Sequence, residues 1–386
     1  MSERPWLALG WSPGAPTGWG QFGYGFAQSL LDAGYELYLP AGMDPFGIPA
    51  IDRPALQSRV LGMPEDREGW LLQPLGNDLA AKLDFPAHVK VCALCVFEDP
   101  GALTDEAVER LKAFDALLAP SRWVQGLLQA KGLPSQVFHQ GYDERTFFPV
   151  ARCTCVLRTR PLHVFSGGKL EFRKGQDIVV EAFKRFRQTP EGATAKLVVA
   201  WDNPWPQTMD GIWLSGYVKG VPTVKNGKAD VMGWLKANGV PEDAVIDCGK
   251  LSPSEMAQVL RRCDVGVFAS RAEGATNMVL VEAMACGLPC IVSDGHGHSD
   301  APKPWATITG DRTVPGGCRL YRSTEGWTEV DPAVVVSTLQ LFVRVAPVHA
   351  GPLDGWGWDE LGPKLAELVL EPAAVRSWSW GSVRGA

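Results

Sequence analysis

Runs of strand-forming apolar residues alternate with stretches of helical spacing along most of this chain, and that alternation restricts the fold more than any other feature. A strand, a covering helix and a second strand close into one unit only when the strands lie parallel, so repeated alternation predicts parallel sheets wrapped by helices. In the first half Trp6–Leu9, Glu36–Leu39, Val89–Phe97 and Ala116–Ala119 read as strands. Helical spacing covers Phe22–Ala33, stopped by Gly34, and Trp123–Ala130, which follows Pro120-Ser121. A second series runs through strands His163–Ser166, Leu197–Trp201, Ala244–Asp247, Val265–Ala269 and Cys290–Ser293. Its helices are expected at Gln176–Arg187, Ala229–Asn238, Ser254–Arg262 and Asn277–Ala285. The polar, non-periodic stretch Ala151–Arg160 separates the two series as a linker. The expected fold class is therefore α/β, with parallel-sheet domains at residues 1–155 and 156–350. Residues 351–386 hold a helix-spaced stretch, Trp356–Leu370, and a tail expected to pack back on the first domain. Asp44–Pro74 and Asn203–Lys228 read as irregular loops.

With 386 residues, 46% of them hydrophobic and 21% charged, each domain can bury its own core. The formal net charge of -6 argues against a generally basic nucleic-acid binder, leaving only a local basic groove as a route to such a partner. No stretch approaches the roughly 18 apolar residues of a membrane span, and Met1–Pro5 carries no basic region ahead of an apolar run. A cytoplasmic location is expected, with peripheral membrane contact left open. Of the nine cysteines, Cys92 and Cys95 fall in an apolar run that reads as a buried strand. Reduced core thiols account for this Cys-x-x-Cys better than a metal or redox site, because no second ligand pair accompanies it.

Two segments concentrate chemistry. Ser166-Gly167-Gly168-Lys169-Leu170-Glu171-Phe172-Arg173-Lys174-Gly175 stands between a strand and a helix. Its glycines, Gly168 among them, let backbone approach a ligand, and Lys169, Arg173 and Lys174 supply cations for a phosphate-bearing group. The second segment runs from Ser270 through Glu273, Gly274, Ala275, Thr276 and Asn277 to Glu282 and Pro289. There a strand feeds a small-residue loop whose amides open a helix, a ready anion site. Glu282 lies in an otherwise apolar helical run, where a carboxylate needs a partner, either a basic side chain or the hydroxyls of a ribose.

Together these segments resemble the donor-binding half of glycosyltransferase family 4, which shows a Gly-Arg-Leu…Lys-Gly motif and a Glu-x7-Glu motif followed by Ala-Met-Ala-x-Gly-x-Pro. The resemblance implies a GT-B fold: two Rossmann-like, doubly wound domains facing across a cleft, with a retaining transfer of sugar from a nucleotide-diphosphate donor such as a UDP- or GDP-sugar. Lys169 takes the place of the family's Arg, and Lys174 is its Lys. The resemblance assigns both to the diphosphate, Glu282 to the ribose and Glu273 to the sugar. Here eight residues separate Glu273 from Glu282, so either the loop carries a one-residue bulge or Gly274 takes the family's position.

The resemblance reaches the first half through Gly18-Trp19-Gly20-Gln21-Phe22-Gly23, which looks like the family's Gly-rich loop near the donor phosphates. Phe97-Glu98-Asp99-Pro100, Pro120-Ser121-Arg122-Trp123, His139-Gln140-Gly141-Tyr142-Asp143 and Ser293–Asp300 each resemble turns of relatives. No histidine matches the one many relatives place beside the sugar; Glu98, at the end of a strand, is the candidate polar group there, and His88 reads as structural. Asp-x-Asp, the metal-bridging motif of the other major glycosyltransferase fold, is missing from the sequence, so no metal and no cofactor are expected. Other readings of the same pattern are a nucleotide-sugar epimerase, a non-catalytic sugar-nucleotide-binding module, and glycosylation of modified DNA bases.

Overall fold

The computed structural model describes residues 5–15, 17–81, 83–150, 160–302, 304–345 and 351–370. They divide into two compact units: one runs to Asp143 and resumes at Asp354, and the other is Glu144–Leu353. The linker expected at Ala151–Arg160 falls outside the described residues except for Arg160, and the tail beyond Leu370 is also outside them.

The first unit is a six-stranded sheet of β1 (Trp6–Leu9), β2 (Leu37–Tyr38), β3 (Gly69–Leu75), β4 (Lys90–Cys95), β5 (Ala116–Ala119) and β6 (Gln136–Val137), in the order β2-β1-β3-β4-β5-β6. Every pairing is parallel. Its helices are α1 (Gly18–Asp32), α2 (Arg53–Gln57), α3 (Asp105–Leu111) and α4 (Arg122–Ala130). The helix expected from Phe22 starts four residues earlier, because the Thr17 hydroxyl accepts from the Gly20 amide and caps it there. The Asp44–Pro74 stretch is not irregular throughout. It contains most of β3, which is buried along its length between β1 and β4.

The second unit contains β7 (His163–Lys169), β8 (Lys196–Asp202), the hairpin β9 (Val224–Lys225) and β10 (Lys228–Ala229), β11 (Val245–Asp247), β12 (Val265–Phe268), β13 (Cys290–Ser293) and β14 (Ala306–Ile308). The helices are α5 (Gln176–Phe186), α6 (Val231–Ala237), α7 (Pro253–Leu260), α8 (Met278–Ala285) and α9 (Pro332–Val345). The six-stranded sheet has the order β11-β8-β7-β12-β13-β14, all parallel. Renumbered from β7, and leaving out the hairpin, this is 3-2-1-4-5-6, the doubly wound Rossmann order. The winding reverses between β7 and β12, and that is where such sheets bind ligands, beyond the carboxyl ends of the strands.

After the second unit the chain returns to the first as α10 (Trp358–Leu370), which packs on α1. Trp358 lies against Phe22 and Phe26, and β-carbons at Gly25 and Gly141 would fall within 3 Å of its indole. The Cys-x-x-Cys pair sits in β4 as two buried free thiols, Cys95 pushed up to about 12 by burial.

Candidate functional site

The switch point of the second sheet is built by two loops, one leaving β7 and one leaving β12. In the first, Leu170 and Phe172 are fully buried and anchor the turn, which leaves the alternate residues Lys169, Glu171 and Arg173 to form a polar face. Gly168 takes φ 115°, and Gly175 takes φ 67° to turn the chain into α5. A β-carbon on Gly175 would lie 2.0 Å from the Ala269 carbonyl oxygen, so this glycine lets the two loops touch backbone to backbone. The Gln176 amide holds the turn from below, donating to Lys169 O at 2.6 Å and accepting from Glu171 N at 3.3 Å.

Five charges meet here. Lys169 Nζ stands 3.1 Å from Glu171 Oε1, and Arg173 Nε lies 2.8 Å from Glu171 Oε2. Arg173 Nη1 reaches Glu273 Oε2 at 2.9 Å, while Lys174 Nζ donates to both oxygens of Glu273 at 2.6 and 2.9 Å. The Glu273 carboxylate also accepts from Ser270 Oγ at 2.8 Å and Asn277 Nδ2 at 3.1 Å. Burial alone would raise its pKa, but Lys174 and Arg173 outweigh burial and hold it well below the usual carboxylate range. Burial in turn lowers the Lys174 pKa against the pull of Glu273.

Three cations face two carboxylates, so one positive charge is left over. The exposed cation is Lys169, whose side chain is 40% accessible against 6% for Arg173 and 9% for Lys174. Lys174 and Glu273, matched by resemblance to the diphosphate and the sugar, are in this structure engaged with each other. Ahead of α8, Asn277 turns with φ 65° and ψ 102° at the helix N-terminus. Few non-glycine residues adopt such angles, and this one is held by its hydrogen bond to Glu273.

Gly274, Ala275, Thr276 and Asn277 are all buried, and the Thr276 hydroxyl has no hydrogen-bond partner among the described residues. Glu282 is half-buried on α8, one turn after Val279. Val279 in turn touches β7, since a β-carbon on Gly167 would lie 3.0 Å from its Cγ1. The face of α8 that carries Glu282 is thereby set against the strand that carries Lys169.

Beneath the loop lies the turn Ser293–Asp300. Gly297 N donates to Glu273 O at 2.9 Å, and the His296 ring bonds Ser270 O through Nε2 at 3.0 Å. Burial pushes His296 down to about 4 and holds His298 well below the ordinary histidine value, so both rings are neutral at pH 7. Behind it, the fully buried Arg271 grips Asp177 with two bonds of 2.8 and 2.7 Å, reaches Glu329, and donates to Phe172 O at 2.6 Å. Its backbone amide donates to Arg173 O, so one residue fixes the turn that presents the cations through both backbone and side chain.

The sequence reading did not assign roles to Glu171, Ser270, Arg271, Asp177, Glu329 or His298. Glu171 was open to detection, as an acid alternating with Lys169 and Arg173 on a turn whose other residues are apolar. Glu329 was not, because only the tertiary fold brings it to Arg271.

Of the expected site residues, Gly18, Gly20 and Glu98 belong to the first unit. Gly18 opens α1 after β1 and is exposed. Gly20 is required by packing, since its β-carbon would fall 1.9 Å from Ala15 O. Glu98 follows β4 and is clamped by Asn77. That side chain donates to Glu98 Oε2 at 3.0 Å and accepts from the Glu98 and Asp99 amides at 2.7 and 3.0 Å.

Residues 160–306 match the sequence profile of the family described as glycosyl transferases group 1. No curated relative matches the chain significantly. Among solved structures, sucrose-phosphate synthase from Thermosynechococcus elongatus is similar with a TM-score of 0.56 at 16% identity, over 97% of each chain. HepE from Anabaena in complex with UDP-glucose gives a TM-score of 0.56 at 14% identity, over 97% of this chain and 98% of that one. A glycosyltransferase from Rickettsia africae gives 0.56 at 10% identity, over 98% of this chain and all of that one, covered to 100%. At these identities the likeness is one of fold, and the fold is GT-B.

Proposed function

From the match of residues 160–306 to glycosyl transferases group 1 we propose that the chain moves a sugar from a nucleoside-diphosphate sugar to an acceptor, with retention of anomeric configuration and without a required metal ion. One observation carries the reading: an exposed ammonium, Lys169, supplies the excess positive charge of a five-charge cluster, and it stands with the N-terminus of α8 at the reversal point of a doubly wound sheet. A glycosidic bond to a diphosphate breaks with negative charge growing on the leaving oxygens. Fixed donors aimed at that charge lower the barrier without having to reorganise.

In this reading Lys169 and the amides of Gly274–Asn277 meet the diphosphate, and Glu282 meets the ribose. Arg173 and Lys174 hold Glu273 ionised, and Glu273 in turn fixes the loop through Ser270 and Asn277. Glu98 is the candidate polar group beside the sugar, and the Gly18 loop is the candidate neighbour of the donor phosphates. HepE having been solved with UDP-glucose makes a UDP-sugar the first donor to try.

The test is a panel of UDP-, GDP- and ADP-sugars, screened by thermal shift and then by release of nucleoside diphosphate with and without candidate acceptors. A bound donor raises the melting temperature, and transfer persists in excess EDTA. Isomerisation of the donor without release would identify an epimerase, and loss of turnover in EDTA would remove the metal-independent mechanism.

A further inference from the structure

The loop leaving β8 puts an aromatic ring beside the exposed cation of the site. The Trp205 indole lies with its centroid 5.3 Å from Lys169 Nζ and is 42% exposed, although a tryptophan of a packed core would be covered. Its position is set by a network rather than by chance. Asn203, 2% exposed, donates from Nδ2 to Leu170 O and to Thr208 Oγ1, each at 2.8 Å, and accepts from Trp205 N at 2.9 Å. Thr208 closes the turn, its amide and hydroxyl both donating to Trp205 O at 2.8 and 2.9 Å. The same hydroxyl lies 3.3 Å from Glu171 Oε1, the carboxylate that pairs with Lys169. The ring and the ammonium are thus carried by two loops stapled together through one buried amide.

We infer that Trp205 and Lys169 form a single recognition element for a nucleotide, in which the indole stacks on the nucleobase while the ammonium takes the phosphates. This rests on the donor-binding reading above and extends it to the base. A nucleotide holds its aromatic ring and its phosphates a comparable distance apart, and an exposed indole accepts any base because every base has a π-face. The pairing also couples the two halves of the ligand. Without a phosphate the ammonium is attracted to the indole face, where it competes with a base. A phosphate draws the ammonium away and leaves the face open, so diphosphate and base bind with positive coupling.

Isothermal titration of the full chain with UDP, GDP, ADP, the matching nucleosides, UDP-glucose and inorganic pyrophosphate tests this. For the nucleoside diphosphate that binds best, Trp205→Ala weakens binding about tenfold and Trp205→Phe restores most of it, while pyrophosphate affinity changes less than about twofold. Lys169→Met weakens the diphosphate but strengthens the nucleoside several-fold, because the ring is no longer covered. Equal weakening of pyrophosphate in Trp205→Ala would mean that the indole merely steadies Lys169, and would overturn the inference. A loss confined to UDP-glucose, with UDP unaffected, would assign the ring to the sugar and overturn it as well. Unchanged binding of every probe in Trp205→Ala removes the inference but leaves the donor site standing. Failure of every diphosphate to bind the parent protein removes both.

Discussion

Replacing Glu273 by Gln tests whether the buried cluster is built around that carboxylate. The substitution keeps shape and deletes one charge, leaving Lys174, 9% exposed, without the counter-ion that accepts its two hydrogen bonds. Arg173 keeps Glu171 at 2.8 Å, so the orphaned charge is principally that of Lys174. Breaking a buried pair from one side costs about 3–5 kcal/mol, because the remaining ion stays desolvated. In a unit the size of Glu144–Leu353 each kcal/mol shifts the midpoint by about 2–4 °C, so the melting temperature should fall by roughly 6–20 °C. Differential scanning calorimetry measures it. Adding Lys174→Met removes the stranded charge, and the double variant should lose about 1–3 kcal/mol less than the two single variants summed. A Glu273→Gln protein melting within about 2 °C of the parent would refute the argument, since a carboxylate so easily dispensed with is not the counter-ion of a buried ammonium.

Four further outcomes are expected. His296, held near 4 against an ordinary 6.5, binds fewer protons folded than unfolded, so its contribution is complete above 6.5 and is lost as pH falls from 6.5 to 4. The unfolding free energy from denaturant titration should decline across that window by about 3 kcal/mol, and a His296→Gln variant should flatten the decline. Gly175→Ala, driving a methyl onto Ala269 O at a φ of 67°, should destabilise by more than about 2 kcal/mol in urea unfolding. At Asn277, with φ 65°, Ala should be less stable than Gly by about 1 kcal/mol, and the reverse order would contradict the backbone angle. Lys169→Met should leave melting nearly unchanged yet lower kcat on the productive donor by roughly 100-fold or more, the loss of one charge-stabilising donor.

The parts of the fold that follow simple periodicity were open to view in the sequence. The strands β1, β4, β5, β7, β8, β12 and β13 are short apolar runs bounded by turn residues, and their alternation with helices was enough to imply parallel sheets. The central strand β3 was hidden because Gln73 and Pro74 interrupt its apolar run. The structure tolerates both: Gln73 is fully buried and donates to Leu83 O, and Pro74 lies beyond Leu72, the last residue of β3 paired with β1. The helix α9 was hidden for the opposite reason. Its run of valines favours a strand, and packing against α5 overrides that preference.

At the site, the cations were legible because glycines and a strand end framed them. Their partition was not. That Lys169 is exposed while Lys174 and Arg173 are neutralised depends on where Glu171 and Glu273 fall in three dimensions. Arg271, fully buried among Asp177 and Glu329, is equally illegible, since an arginine in a loop ordinarily faces water.

The return of α10 to the first unit has a consequence for how the protein is made. Synthesis proceeds from the amino end, so β1 to β6 and α1 leave the ribosome long before Trp358, whose indole packs beside Phe22 and Phe26. The whole of Glu144–Leu353 is translated in the interval and can fold to completion first. Translation thus reverses the order of maturation: the unit begun first is the last to acquire its final helix, and a chain released before residue 358 keeps the aromatic surface of α1 open to water and to aggregation.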